Sequence, residues 1–219
     1  MNAPIATPPA ATTQPAGRYD VIIIGAGIAG CAAAQALALA DPERRRKILL
    51  VDRHPGSSPR FAGEFIHPRG AQILVDLGFY PALKAAGAVD VDGFTVLERA
   101  EGRYVELPYA EISNQRAQGL AAHHKALVRT MRQVVRERPQ VDLFEGWSIQ
   151  DLLRGSGERV QGVTLTGPGG VQVKVHADLV IGADGKASQV RKLAGIPDQR
   201  QTVGFTVGLE LRNARLPAP

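Results

Sequence analysis

Gly25-Ala26-Gly27-Ile28-Ala29-Gly30 stands between an apolar run at residues 19–24 and an apolar stretch at 28–40. Val21-Ile22-Ile23-Ile24 is short and unbroken, the pattern of a strand buried on both faces of a parallel sheet. Each glycine then has a separate task. Gly25 permits the tight turn off the strand. Gly27 removes a side chain where the backbone must approach a pyrophosphate. Gly30 lets the following helix pack close to the sheet. The phosphates lie at the helix N-terminus, where free N–H groups and the helix dipole favour negative charge.

GxGxxG alone is weak evidence, because glycines cluster in ordinary turns. The neighbouring sequence supplies the context. A second buried strand, Ile48-Leu49-Leu50-Val51, ends at Asp52. An acidic residue there can accept hydrogen bonds from adenosine ribose hydroxyls. The separation slightly exceeds the usual ~20 residues, and Asp41-Pro42-Glu43-Arg44-Arg45-Arg46 accounts for it as a longer helix–strand loop. The reading is a dinucleotide-binding βαβ unit; the alternative is a doubly wound fold with an incidental glycine-rich turn. The Asp52 carboxylate disfavours a 2′-phosphate, so FAD or NAD is expected there over NADP.

The 219 residues are 44% hydrophobic and 21% charged, which suits a globular chain with one core. The net charge of +5 is largely local. Residues 44–47 form one basic run, and Lys125, Arg129, Arg132, Arg136 and Arg138 another. The second lies on a predicted helix whose Leu127, Met131, Val134 and Val135 recur at helical spacing. Lys125, Arg129, Arg132 and Arg136 fall on its other side and read as a solvated face. Docking to an acidic surface or anionic lipid is the alternative. Aromatics are 5% of the chain and do not interleave with the basic residues, which argues against nucleic acid as a partner.

Cys31 is the only cysteine, so neither an intrachain disulfide nor a Cys-rich metal site is possible. It follows Gly30 at a helix start, where a thiol pKa can fall, but a small buried packing residue is expected. His123 and His124 are adjacent on the predicted helix and diverge rather than converge on a metal; no metal site is expected. Residues 1–17, rich in Ala, Pro and Thr, lack the basic and apolar regions of a secretory signal and read as a disordered tail. No apolar stretch approaches the ~20 residues of a membrane span. A cytoplasmic location is the expectation.

The rest of the chain alternates strands and helices. Residues 53–63 form a Pro/Gly/Ser-rich loop, 68–77 a helix ended by Gly78, and 82–86 a short helix. Residues 93–98 and 103–107 alternate and should pair around Glu101-Gly102. The long amphipathic helix spans 119–138 and stops before Pro139. A short strand follows at 141–145. Three strands at 147–154, 160–166 and 171–176 form a β-meander, and 179–182 is again a short buried strand. Residues 188–194 read as a short helix and 204–211 as one more alternating strand. A βαβ unit, an inserted meander and a return to a parallel strand give one α/β nucleotide-binding sheet covered by the meander. That assigns 18–200 to a Rossmann-like domain and 201–219 to the beginning of an antiparallel substrate-domain sheet.

Asp178-Leu-Val-Ile-Gly-Ala-Asp184-Gly185-Lys-Ala-Ser188-Gln-Val-Arg191 is the second chemical feature. A strand end delivers a carboxylate, a glycine turns the chain, and Ser188 can cap the next helix. In order and spacing, the two motifs resemble those of the class A flavoprotein monooxygenases, the p-hydroxybenzoate hydroxylase-like fold. Gly63-Glu64-Phe-Ile-His-Pro68-Arg-Gly70, then Leu74…Leu77-Gly78, is most similar to the squalene epoxidase branch, as is Leu211-Arg-Asn-Ala-Arg-Leu-Pro217. The resemblance covers about residues 18–217.

The resemblance implies an FAD-binding Rossmann-like domain with an inserted β-meander. It implies Gly25, Ala26, Gly27, Ile28, Ala29 and Gly30 at the pyrophosphate and Asp52 at the adenosine ribose, with Arg53 also in the cofactor site. Arg69, Asp184 and Gly185 also join the cofactor site, with Glu64 and His67 near the flavin. NAD(P)H is the implied reductant and a small apolar molecule such as a polyprenoid the implied substrate, hydroxylated or epoxidised. The flavin carries that chemistry while the protein binds, orients and shields it. Peripheral membrane contact is a further implication. Family members carry an FAD-reaching arginine on the long helix; here that position is Ala126, with His124 and Lys125 as neighbours that could substitute. The family's third FAD motif and most of the substrate sheet would lie beyond Pro219. A second polypeptide is therefore a candidate source for the rest. Catalytic residues are not readable. The competing functions are an FAD-dependent reductase or halogenase of the same fold, with Trp147 read as packing, and a non-catalytic dinucleotide-binding fragment.

Overall fold

The computed structural model describes residues 14–57, 63–98, 102–112, 116–157, 159–199 and 201–205. β1 (Arg18–Ile24) turns through the glycines into α1 (Ile28–Leu39), and β2 (Ile48–Asp52) returns parallel to β1. Next come β3 (Gly63–Ile66), α2 (Pro68–Asp76), α3 (Tyr80–Ala85) and β4 (Val89–Val91). The hairpin of β5 (Gly93–Glu98) and β6 (Arg103–Pro108) is followed by β7 (Gly119–His123) and α4 (His124–Arg136). The chain continues through β8 (Val141–Glu145), β9 (Ser148–Arg154), β10 (Val160–Thr166), β11 (Gln172–Gly182) and α5 (Gln189–Leu193).

The main sheet has the order β8-β2-β1-β11-β10-β9. Its first four strands are parallel and its last three antiparallel. Side chains alternate between the faces. Val21, Ile23, Ile48 and Leu50 are buried with Ala34 and Ala38 of α1 and Leu127, Met131 and Val135 of α4. Ile22, Ile24, Leu49 and Val51 take the other face, with Trp147, Ile149, Leu152, Val163, Leu165 and Val175. Because residues 21–24 of β1 and 48–51 of β2 are buried on both faces, these stretches must be apolar. That makes them legible as unbroken runs, and each buried Ile, Leu or Val contributes about 1.5–3 kcal/mol. Helices cover one side and the meander the other, so a three-layer α/β domain is formed.

Several elements differ from the sequence expectation. Residues 171–176 and 179–182 are not two strands. β11 runs through both, pairing with β10 up to His176 and with β1 from His176 onward. Asp178 interrupts the apolar pattern without breaking the strand, because it lies on an exposed side and pairs with Arg18. The long helix begins at His124, five residues later than expected at 119. Residues 119–123 instead form the central strand of a second sheet, β3-β7-β4. Pairing on both edges overrides the helical propensity of Leu120-Ala121-Ala122. Gly119 suits that position, since a Cβ there would lie 2.6 Å from the Ile66 carbonyl oxygen. The partner strands β3 and β4 are short and half-exposed, and their sequences carry little periodic signal.

The hairpin pairs as expected, from Gly93 with Pro108 to Glu98 with Arg103. The strand read at 204–211 lies mostly outside the described residues; 201–205 have no regular structure. Most of the tail at 1–17 is also outside them. Among the described residues no helix is long and apolar enough to cross a membrane.

Candidate dinucleotide site

The two sequence motifs meet at the ends of neighbouring strands. Gly25 N–H donates to the Val51 carbonyl at 2.7 Å, and Ala183 N–H donates to the Ile24 carbonyl at 2.7 Å. Gly25 has φ +105°, and a Cβ there would lie 2.4 Å from the Ala183 oxygen. A Cβ on Gly30 would lie 1.7 Å from the Gly25 oxygen. The fold itself therefore demands these two glycines. Gly27 is different. Its φ of −78° suits any residue, and a Cβ there would meet nothing within 4 Å. Nothing in the described protein requires glycine at that position. What it leaves is open space at the start of α1.

That space faces donors. α1 has no side-chain cap and no acidic residue in its first turn, so its first N–H groups lack intrahelical partners. Open room, free donors and the positive helix end are the requirements of a phosphate. The residues present thus fit the pyrophosphate of a dinucleotide such as FAD. Cys31, in that first turn, is fully buried. Burial pushes its thiol up to about 12, so it packs rather than reacts.

Asp52 ends β2 beside the loop. Its Oδ2 accepts the Ala26 N–H at 2.8 Å and its Oδ1 accepts the His54 N–H at 2.8 Å. Oδ2 also pairs with Arg132 at 3.0 Å. The carboxylate is anchored on the loop through Oδ2, while Oδ1 has a lone pair left for a ribose hydroxyl.

Helical periodicity places Arg132 on the solvated face of α4, and its burial corrects that expectation. It is 2% exposed. Its Nε donates to the Ala26 carbonyl at 2.8 Å, and its Nη1 donates to the His54 carbonyl at 2.8 Å and to Glu145. Lys125, Arg129 and Arg136 are exposed, as that reading required. Burial raises the Glu145 pKa, but hydrogen bonds from Arg132 and Arg136 outweigh this and hold it below the usual carboxylate range. The sequence around Arg132 carries no signal of this role: the sheet order sets Asp52 and Glu145 side by side at the ends of neighbouring parallel strands, and side-by-side carboxylates need a cation.

Asp184 is committed to its own turn. It accepts hydrogen bonds from the Ser188 hydroxyl at 2.5 Å and from the Gln189 and Val190 N–H groups at 2.6 and 3.1 Å. Ser188 accepts the Arg191 N–H as the cap of α5. Gly185 turns the chain at φ +80°. The Asp184 turn touches the glycine loop through Ala183 and the Asp184 Cα, 2.8 Å from a Gly25 Cβ.

The remaining candidates are dispersed. Arg53 is exposed next to Asp52, with its Nε on His54 at 3.0 Å. Arg69 is exposed in the first turn of α2. His124 is buried and pairs with Glu64 at 2.7 Å, while its neighbour His123 is exposed. Ala126 lines a small cavity with Leu83, Ala86, Gly87 and Ala88. Lys125 is exposed in the first turn of α4.

A second feature is apolar. Phe65, His67, Phe94 and Tyr109 form a ring cluster with centroids 4.8–6.4 Å apart. Tyr109 Oη and His67 Nδ1 are 2.9 Å apart. Across the hairpin, Phe94 opposes Leu107 and Val96 opposes Val105. All four are exposed, at 44–59%, and form one apolar face.

The chain is similar to known proteins in sequence and in fold. The model of an FAD binding domain family matches residues 18–214. A squalene epoxidase of Candida albicans is 31% identical over 239 residues, covering 92% of this chain and 46% of that protein. The chain thus spans a little under half the length of this relative. Among solved structures, p-nitrophenol 4-monooxygenase PnpA from Pseudomonas putida superposes with a TM-score of 0.68 at 18% identity, covering 82% of this chain and 44% of that one. The flavin-dependent monooxygenase PieE, solved with FAD and substrate, has a TM-score of 0.64 at 24% identity, covering 81% and 32%. The two structures establish the shared fold.

Proposed function

Because the chain belongs to the FAD binding domain family, we propose that it holds FAD for an NAD(P)H-dependent monooxygenase acting on an apolar substrate such as a polyprenoid. The carrying observation is Gly27, a position that the fold leaves open and free of Cβ contacts at an uncapped helix N-terminus. Gly27 and the first turn of α1 would hold the pyrophosphate, and Asp52 Oδ1 a ribose hydroxyl. FAD supplies the electron transfer and oxygen chemistry when bound.

The chain's own residues shape the surroundings. Arg132 pairs with both Asp52 and Glu145, and Arg136 supplies the second positive charge on Glu145, so neither carboxylate at the adenosine end is unpaired. Asp184 and Ser188 brace the turn against Gly25. The likeness to squalene epoxidases supports a polyprenoid-like substrate. The exposed apolar face of Phe94, Val96, Val105 and Leu107, beside the ring cluster, supports it independently. The relatives' additional length, on the same or a second polypeptide, would enclose that substrate and exclude water from the flavin.

The test is an absorbance spectrum of the purified 219-residue chain after gel filtration with added FAD. Flavin bands co-eluting with protein support the reading; a colourless protein peak overturns it. Stimulation of NADH or NADPH oxidation by the FAD-loaded chain tests the reductant.

A further inference from the structure

We propose that Arg132 is a positioning residue for the dinucleotide, setting the phosphate loop and the adenosine-site carboxylate in a fixed relation through one guanidinium. This rests on the FAD reading of the site. Arg132 lies on α4, remote in sequence from both parts, yet it touches the two of them directly. Its Nε holds the Ala26 carbonyl at 2.8 Å, and its Nη2 holds Asp52 Oδ2 at 3.0 Å. Ala26 N–H closes the ring by donating to the same Oδ2 at 2.8 Å. The planar fork of arginine can serve two acceptors in fixed directions, which a lysine ammonium cannot.

The consequence for the loop follows from peptide geometry. In a trans peptide the carbonyl and the next N–H point in opposite directions. Holding the Ala26 carbonyl towards the guanidinium turns the Gly27 N–H away from it. Gly27 is the residue with open space around its Cβ position. The same guanidinium engages Asp52 Oδ2 and leaves Oδ1 to a ribose hydroxyl. Arg132 therefore presets a donor for phosphate and an acceptor for ribose before the ligand arrives. Preorganisation of this kind raises affinity by removing the cost of ordering the groups on binding.

Glu145 is the second anion on Arg132, and it offers a way to separate positioning from charge balance. Arg132→Met alone takes the ionic partner from Asp52 and leaves it beside Glu145, which keeps only Arg136, a defect in folding as much as in binding. Arg132→Met with Glu145→Gln removes one charge of each sign. Arg132→Lys retains the charge and loses the fork. For each variant, FAD and ADP affinities are measured by titration, together with the urea midpoint of the apoprotein. In Arg132→Met/Glu145→Gln the midpoint is expected to return towards wild type, while FAD and ADP both bind on the order of tenfold or more weakly. Arg132→Lys should fall between the two and carries the test by itself if the double variant does not fold. Wild-type affinity for FAD and ADP in a folded double variant or in Arg132→Lys would overturn the proposal and leave the FAD reading standing. Failure of the wild-type chain to bind either ligand would overturn both.

Discussion

Asp52 and Glu145 face each other in register at the ends of β2 and β8, and the Arg132 side chain enters between them. Two carboxylates on neighbouring strands repel unless a cation is shared. Here the cation comes from a helix that packs across both strand ends. One arginine thereby joins the glycine loop, the acidic end of β2 and the edge strand β8.

Glu145 should impose a pH dependence on folding. Its pKa is lowered from 4.5, since the hydrogen bonds from Arg132 and Arg136 outweigh burial. Below the unfolded value the unfolded chain binds more protons, so stability falls as pH falls through the folded value. The stabilisation is fully present above about pH 4.5 and disappears in stronger acid. Urea midpoints measured from about pH 6 to about pH 3 should decline in wild type, and Glu145→Gln should flatten part of that decline. Parallel profiles would remove Glu145 as a contributor.

Gly27 and Gly30 should separate function from fold. Gly27→Val adds a side chain where the protein has none to clash with, so the urea midpoint should barely change while FAD binding is lost. Gly30→Ala puts a Cβ 1.7 Å from the Gly25 oxygen and should cost about 3 kcal/mol of stability. Retained flavin in folded Gly27→Val would show that the phosphate is not at this loop.

Asp52→Asn keeps the shape of the side chain and removes its charge. The loss of a charged hydrogen bond to ribose should weaken FAD binding by about 1–3 kcal/mol. The Arg132 partnership should also weaken, so the apoprotein loses some stability. Calorimetric titration beside a denaturation curve distinguishes the two effects. An unchanged FAD affinity would place the ribose elsewhere.

The hairpin face should drive association in the absence of a cover. Phe94, Val96, Val105 and Leu107 are all exposed on one side, an arrangement that soluble monomers avoid. Val96→Thr with Val105→Thr should lower self-association in sedimentation velocity with no change in far-UV circular dichroism. If association persists undiminished, another surface is responsible.

The FAD-binding unit was legible in the chain because its physics is local. β1 and β2 are buried on both faces, so their apolar runs are unbroken, and the turn between β1 and α1 needs glycine at fixed offsets. Asp52 and the Asp184-Gly185 turn stand at predicted strand ends, and parallel pairing through β1 and β11 brings their motifs together. The second sheet was not legible. β3 and β4 are too short for a period to emerge, and β7 is a strand only because both of them pair with it. Tertiary structure alone decided the role of Arg132. Helical periodicity counts polar residues as outward-facing, whereas a buried guanidinium is stable when carbonyls and carboxylates from distant segments converge on it. That convergence depends on where β2 and β8 end in space, which no local pattern around residue 132 encodes.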